Sequence, residues 1–386
     1  MLFTRLATFY FVFFALLGLV VPYWSPYLES IGMSAVQIGW LLGAFHLSRL
    51  YAPGIWGVVA DRFGHRLLIV RLGAVGGLLS VMLLPGQTEF LTLWLCMLLY
   101  SFFWNAILPQ FEVITLKHLG KRSNEYGRVR LWGSVGFILA VLVGGELFIG
   151  DGISGVPYSF ILVMLFILLA SFWVPDVRTD QLRQPPSKGL IRQTLKRPAV
   201  IRFLLMIFFV QMAHGPYNGF YTLLLQSYGY GGTAIGWLWS LGVIAEILLF
   251  AKLHNMWNRW GFERVLLCSL LLGVVRWMLL ATLPDQLWSL ILAQLLHAAS
   301  FAVVLASGIR LVQELFPEGS EGRGQAIHSS IGFGLGGVLG SIVAGYLWEH
   351  LGATPAFIFA AGASAIGFLL AWRVEFLGKV QQIEPN

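Results

Sequence analysis

Glu246, Arg276 and His297 place a carboxylate, a guanidinium and an imidazole near the middle of three successive apolar runs in a chain of 386 residues. A charge at that depth costs about 2.5 to 3.5 kcal/mol on insertion scales, so each needs a compensating reason. Two readings supply one: a structural ion pair that holds helices together, or a site that handles protons and an ionic substrate. The two are compatible. Arg49 stands three residues after His46 in the second apolar run, which puts both on one helical face and assigns that face to a cavity rather than to lipid. His46, His214 and His328 fit helix contacts as well as they fit function. Charge balance is more pointed. Arg49, Arg276 and Arg130 face Glu112 and Glu246, leaving neutrality or one spare positive charge, and a carboxylate substrate completes the pairing.

The elements that must position these groups follow from composition. Hydrophobic residues make up 58% of the chain and charged residues 11%, with 44 glycines, far from the mix of a soluble domain. About 20 apolar residues span a bilayer core as a helix, and such runs fall at 4–28, 36–58, 66–85, 89–115, 126–149 and 156–175. A polar stretch at 176–200 contains Asp176, Arg178, Asp180, Pro185, Pro186 and Lys188 and reads as a linker. Six more runs follow at 201–227, 233–254, 263–283, 287–313, 325–348 and 353–374. The expectation is an all-α membrane protein of twelve transmembrane helices, with a bundle at 1–175, a cytoplasmic linker at 176–200 and a bundle at 201–386. The first run has no small-residue cleavage site and reads as a retained helix.

Lys and Arg are absent from the connections after runs 1, 3, 5, 7, 9 and 11 and present in the others. That alternation puts both termini in the cytoplasm, and the expected location is a bacterial inner membrane. The net charge of +7 then reflects topology and anionic lipid, not nucleic-acid binding. Cys96 and Cys268 sit alone in apolar runs, lipid-facing or filling the core, and form no metal or redox spacing.

The halves repeat each other at a shift of 197 residues: Ile38-Gly39-Trp40-Leu41 superposes on Ile235-Gly236-Trp237-Leu238, and Arg62 and Gly64 on Arg259 and Gly261. Between runs 2 and 3 lies Gly57-Val58-Val59-Ala60-Asp61-Arg62-Phe63-Gly64-His65-Arg66. Its pattern, Gly-x-x-x-Asp-Arg-x-Gly-x-Arg, resembles the signature loop of the major facilitator superfamily. The second copy has Asn258 in place of Asp61. The resemblance implies two pseudo-symmetric six-helix bundles with a substrate site between them near the midplane. It also gives Gly57, Asp61, Arg62, Gly64 and Arg66 a conformational gating role, with Asp61 and Arg62 latching the halves at the cytoplasmic face.

Residues 105–112 and 122–130 resemble the helix 4 to helix 5 region of symporters of the lactose permease type. By that resemblance Glu112 and Arg130 bind substrate, and Phe137 stands where a tryptophan stacks on the sugar. Glu246, Arg276 and His297 resemble that type's proton and substrate residues. One helical turn after the histidine, however, Ser300 replaces a glutamate, which excludes coupling through that acid. Pro22-Tyr23-Trp24-Ser25, Val129-Arg130-Leu131-Trp132-Gly133-Ser134, Tyr217, Glu246, Val275-Arg276-Trp277 and Leu296-His297 resemble the phenylpropionate permease group over the whole length. Trp24, Tyr27, Phe137, Tyr217, Tyr221, Trp237 and Trp239 offer flat walls for a ring, or interfacial anchors. Gly332, Gly336 and Gly340, like Gly73 and Gly77, allow close helix approach, static or sliding.

The expected function is proton-coupled symport of a small organic solute, an aromatic carboxylate such as phenylpropionate. A sugar or nucleoside symporter is the alternative within the class. A polytopic membrane enzyme lacks a zinc-ligand pair, nucleophile elbow or phosphate loop here, and a solute sensor lacks an output domain. The expected substrate-binding residues are Arg49, Glu112, Arg130, Phe137, Tyr217 and Arg276, with Glu246 and His297 coupling protons. Glu246 is the expected carrier, its carboxylate ionised beside Arg276 until substrate takes the arginine, and His297, with a reference pKa of about 6.5, relays the proton. No cofactor or metal is expected beyond the proton gradient. The expected partners are the small-molecule substrate, protons and the bilayer, with no nucleic acid and no obligate protein partner.

Overall fold

The computed structural model describes residues 2–177 and 188–372. Residues 178–187 of the expected linker, and the chain beyond 372 in the last expected unit, lie outside the described residues. The first half contains α1 (Leu2–Ser30), α2 in two pieces (Ala35–Leu47 and Ala52–Phe63), α3 (Arg66–Val81), α4 (Phe90–Leu119), α5 (Tyr126–Phe148) and α6 (Val156–Trp173). After a short helix, Lys188–Leu195, the second half contains α7 in two pieces (Pro198–Ala213 and Gly215–Ser227), α8 (Gly232–Trp260) and α9 (Phe262–Thr282). It ends with α10 (Leu287–Leu315), α11 (Glu321–Leu351) and α12 (Ala353–Trp372).

Nine stretches among the described residues are long and apolar enough to cross a membrane. One of them, Phe90–Phe148, doubles back as α4 and α5 through Gly120–Glu125. The interrupted α2 and the 16-residue α3 complete the twelve crossings. Helices are the required form, because a backbone in hydrocarbon must satisfy its polar groups within its own segment. Large apolar side chains such as Leu95, Leu139, Phe172 and Leu248 face outward, as lipid contact demands.

Two of the expected continuous helices are broken, and proline is the reason in each. Pro53 has no N–H for the Arg49 carbonyl, and its ring crowds that group. The chain passes through a 3-10 turn at Ser48–Leu50, and the Ser330 hydroxyl of α11 donates to the Arg49 carbonyl at 3.4 Å. Across this break the His46 ring lies beside Gly337 and the Arg49 guanidinium over the Phe333 ring, so both side chains turn toward α11. Pro216 acts alike on α7, which breaks at His214 between its two pieces. The Met212 carbonyl that the ring displaces lies against Gly340 of α11, where an added Cβ would come within 2.3 Å.

Within the first half α1 packs on α5 and α6, and α3 on α4 and α6; within the second, α12 packs on α7 and α9, and α10 on α8 and α9. The halves meet through α2 on α11, α5 on α8 and α1 on α7. Their closest approaches lie toward the face opposite the α1 N-terminus, where Gly39 meets the Ser341 carbonyl and Gly145 the Gly232 carbonyl. The stripe Gly332, Gly336 and Gly340 packs against Ile207, Phe208 and Met212 of α7, inside the second half. It forms no interface between halves. Gly73 packs on α4, and Gly77 meets Met164 of α6.

The loop between α2 and α3 is a cross-brace of the first half. Gly64 ends α2 with φ 68°, a left-handed conformation that favours glycine. Arg66, almost wholly buried, donates to Asp61 and to Gln110 of α4, each at 2.5 Å. Arg62 is exposed, and nothing within 4 Å constrains a side chain at Gly57. The latch expected of Asp61 between halves is, in this structure, a tie between α2, α3 and α4. Asp61→Asn removes the anion from a buried guanidinium, and transport is expected to fall several-fold with membrane insertion intact. Initial uptake rates at equal expression measure it; an unchanged rate removes the loop from the transport cycle.

Candidate functional site

Glu246 and His297 lie near the middle of α8 and α10, helices that pack on each other. The Glu246 Oε1 and His297 Nε2 are 2.6 Å apart, with both side chains largely buried. The carboxylate's direct partner is thus the imidazole, not Arg276 as the sequence suggested. A single turn of azimuth on each helix decides this, and the apolar run around each residue does not reveal azimuth.

Arg276 of α9 is fully buried. Its guanidinium carbon lies 4.2 Å from the Tyr217 ring centroid and 4.1 Å from that of Trp277, and Nη1 donates to the Ser300 hydroxyl at 3.3 Å. The position that lacks the lactose-permease-type acid therefore serves as the arginine's acceptor. Ser300 sits in a π-helical segment, Ala298–Val303, immediately after His297, a distortion common at functional sites. Arg276 Nε and Nη2 have no hydrogen-bond partner. Two desolvated cation–π contacts supply roughly 2 kcal/mol each, whereas an unpaired buried ion costs several kcal/mol. The guanidinium is poised for an acceptor that carries charge.

Further unpartnered polar atoms surround it. They are His297 Nδ1, His214 Nε2 and Gln294 Nε2, with the Tyr221 and Ser240 hydroxyls beyond. Tyr217 donates to Gln294 Oε1 at 2.9 Å, which fixes the amide with its N–H groups free. Trp239 lies 4.7 Å from Tyr217, ring to ring, and donates to Thr222. Tyr217, Tyr221 and Trp239 are thus walls of this buried cluster. Trp24 and Tyr27 stack on each other in the first half's core, and Trp237 is exposed as an anchor would be.

The first half contributes a second group nearer the α1 N-terminal face. Glu112 accepts from Tyr126 at 3.1 Å, and Arg130 stacks on Phe14 at 3.7 Å and Tyr10 at 5.7 Å. The expected pairing of Glu112 with Arg130 is not a direct ion pair; their charges interact across a gap. Arg130 and Arg276 both act electrostatically on Glu246, so the two groups face one region from opposite halves. Phe137 packs against a core cluster that takes Tyr217 and Trp277 from the second half and Val141 from its own helix. Arg49 stands apart, half-buried between Phe45 and Phe333 at the junction of α2 and α11.

Gln294, Tyr10 and Phe14 were not singled out from sequence. Gln294 carried the clearest signal, a primary amide one turn before His297 in an apolar run; the aromatic pair on α1 carried none, since phenylalanine and tyrosine are common throughout that helix.

Comparison with known proteins adds three observations. The model of the MFS_1 like family matches residues 3–359. The "Probable 3-phenylpropionic acid transporter" of Escherichia coli (strain K12) is 30% identical over 377 residues, 94% of this chain and 96% of that protein. The "Maltose permease" of Geobacillus stearothermophilus is 28% identical over 371 residues, 94% and 92% of the two chains. The crystal structure of the nucleoside transporter NupG superposes with a TM-score of 0.83 at 18% identity, covering 97% of this chain and all of that one.

Proposed function

This chain belongs to the MFS_1 like family and is a membrane transporter of the major facilitator type, and from that premise we propose that it is a proton-coupled symporter for a small organic acid. The substrate class we favour is an aromatic carboxylate such as phenylpropionate. One observation carries this choice: a fully buried arginine with two unpartnered nitrogens, held between the aromatic faces of Tyr217 and Trp277. A carboxylate supplies the missing acceptor, and an attached ring lies against Tyr217, Trp239 and Phe137. Arg130, from the other half, brings a second positive charge to the same region.

The six-plus-six arrangement supports rocking of the halves about this site. The Lys and Arg distribution supports an inner-membrane protein with both termini cytoplasmic, the polar stretch at 176–200 supports a bundle boundary there, and the close approach of the halves at the opposite face supports a site that opens to the cytoplasm. Glu246 and His297 are the proton-coupling pair. A sugar or nucleoside is the second reading, favoured by Glu112 and Gln294, which suit hydroxyl or amide groups, and by the likeness to proteins named as maltose and nucleoside transporters.

Uptake of labelled phenylpropionate, maltose and a nucleoside into proteoliposomes, with and without an inward-directed proton gradient, tests the proposal. Gradient-stimulated accumulation of phenylpropionate alone is expected, and Arg130→Ala is expected to lower it at least about ten-fold by removing a charge-assisted contact. Accumulation of only the sugar or the nucleoside would overturn the substrate class.

A further inference from the structure

At the face opposite the α1 N-terminus, two carboxylates reach across from one half to the other, and each ends on the first turn of a helix. Glu349, near the end of α11, accepts from the Val36 backbone N–H of α2 at 2.7 Å. Glu146, near the end of α5, accepts from the Thr233 hydroxyl of α8 at 2.6 Å. Val36 and Thr233 are related by the same shift of 197 residues that relates the two halves, so the two contacts are quasi-equivalent. The Ser34 hydroxyl, at the α2 N-cap, also interacts with Glu349.

The acceptors meet a real need. The first N–H groups of a helix lack partners within it and carry partial positive charge, which favours an anion there. Gly231 gives α8 no side-chain cap. In α2 Ser34 and Gln37 cap each other's backbone, and the Val36 N–H is left for Glu349. Beside each contact the backbones touch. An added Cβ at Gly145 would stand 2.4 Å from the Gly232 carbonyl, and one at Gly345 would stand 2.4 Å from the Ala35 carbonyl; Ala35 and Gly232 are again 197 apart. Glycine permits this proximity but supplies no directional bond. The carboxylates do.

We propose that Glu146 and Glu349 form a two-point latch that holds this face of the transporter closed, each carboxylate gripping the opposite half by a helix N-terminus. Both bonds must break for the face to open. Exposed contacts of this kind add little to fold stability, yet a balanced two-state equilibrium responds to small differential energies. The inference requires only that the halves rock, so it stands or falls separately from the substrate and the proton.

The test is a distance distribution between spin labels at Thr88→Cys and Gln286→Cys, one in each half at this face, with Cys96 and Cys268 replaced by alanine. The full chain is measured in lipid nanodiscs without substrate. The ratio of long to short distances is expected to rise about three-fold in Glu146→Ala or Glu349→Ala and about ten-fold in the double variant. Val36→Pro removes the backbone donor and leaves Glu349 in place, in the first turn of the helix, where a proline costs no intrahelical hydrogen bond. It is expected to shift the ratio in the same direction as Glu349→Ala but by less, because the Ser34 hydroxyl remains, whereas Thr233→Val is expected to match Glu146→Ala. These two donor variants decide the matter if the glutamate variants fail to assemble. An unchanged distribution in the double variant, or in both donor variants, overturns the latch.

Discussion

Arg276→Ala is expected to abolish substrate binding, and Arg276→Lys to come close to doing so, each with transport lowered by at least about 100-fold. The basis is the geometry of the guanidinium. It is fully buried, stacked between Tyr217 and Trp277, and anchored through one nitrogen to Ser300, which aims Nε and Nη2 into the site. A planar fork of that kind pairs with a carboxylate through two hydrogen bonds, which an ammonium cannot reproduce. Removing one partner of a buried charge pair costs about 3 to 5 kcal/mol, and about 1.4 kcal/mol corresponds to a factor of ten. Quenching of the fluorescence of Trp277 and Trp239 by added ligand, in detergent, measures binding directly. Binding by the Lys variant within about three-fold of the parent would reduce Arg276 to a point charge, and retained binding by the Ala variant would remove it from the site.

Ser300 offers a finer reading of the same arrangement. From sequence it marks the loss of an acid; in the fold it accepts from Arg276 Nη1. A neutral acceptor adds no second counter-charge to that of Glu246, which acts on the guanidinium without direct contact, where a carboxylate at that position would. Under the proposed function, Arg276 and Arg130 facing Glu246 suit an anionic substrate, whereas a further acid at this position would suit a neutral one.

The number of crossings and the division into halves were legible because both follow from long, additive signals. Twenty apolar residues must span the core whatever they pack against, and Lys and Arg alternate loop by loop. The breaks in α2 and α7 depend on single residues, Pro53 and Pro216, inside runs whose hydropathy is continuous, so run length hides them. Depth was legible for Glu246, Arg276 and His297, since rise per residue fixes it. Azimuth was not. Which of Arg276 and His297 meets Glu246 depends on how α8, α9 and α10 turn about their axes, and packing sets that. The latch at Glu146 and Glu349 was hidden for a related reason: both residues lie at helix ends, where a carboxylate carries no desolvation penalty and so draws no notice.

Glu246→Gln is expected to abolish uphill uptake driven by a proton gradient, at least about ten-fold, while exchange of substrate across the membrane persists within about three-fold of the parent. The side chain sits 2.6 Å from His297 Nε2, and glutamine keeps an oxygen there, so the contact survives and the titratable group does not. In the proposed function, coupling follows from charge. Arg276 and Arg130 both act on Glu246 and partly compensate its negative charge against the cost of burial. An anionic substrate that engages either arginine takes over that compensation, and two negative charges in one low-dielectric region draw a proton. By linkage, the proton favours the substrate as much as the substrate favours the proton. His297, bridging to the carboxylate, offers the proton a second site. Without a titratable carboxylate the loaded carrier still crosses in both directions, which is all that exchange requires, but no proton accompanies it. Counterflow of labelled substrate and gradient-driven accumulation are measured on the same proteoliposomes. Accumulation by the Gln variant against a substrate gradient would leave Glu246 as a structural partner of His297, and the carrier would then be sought at Glu112 or among the histidines.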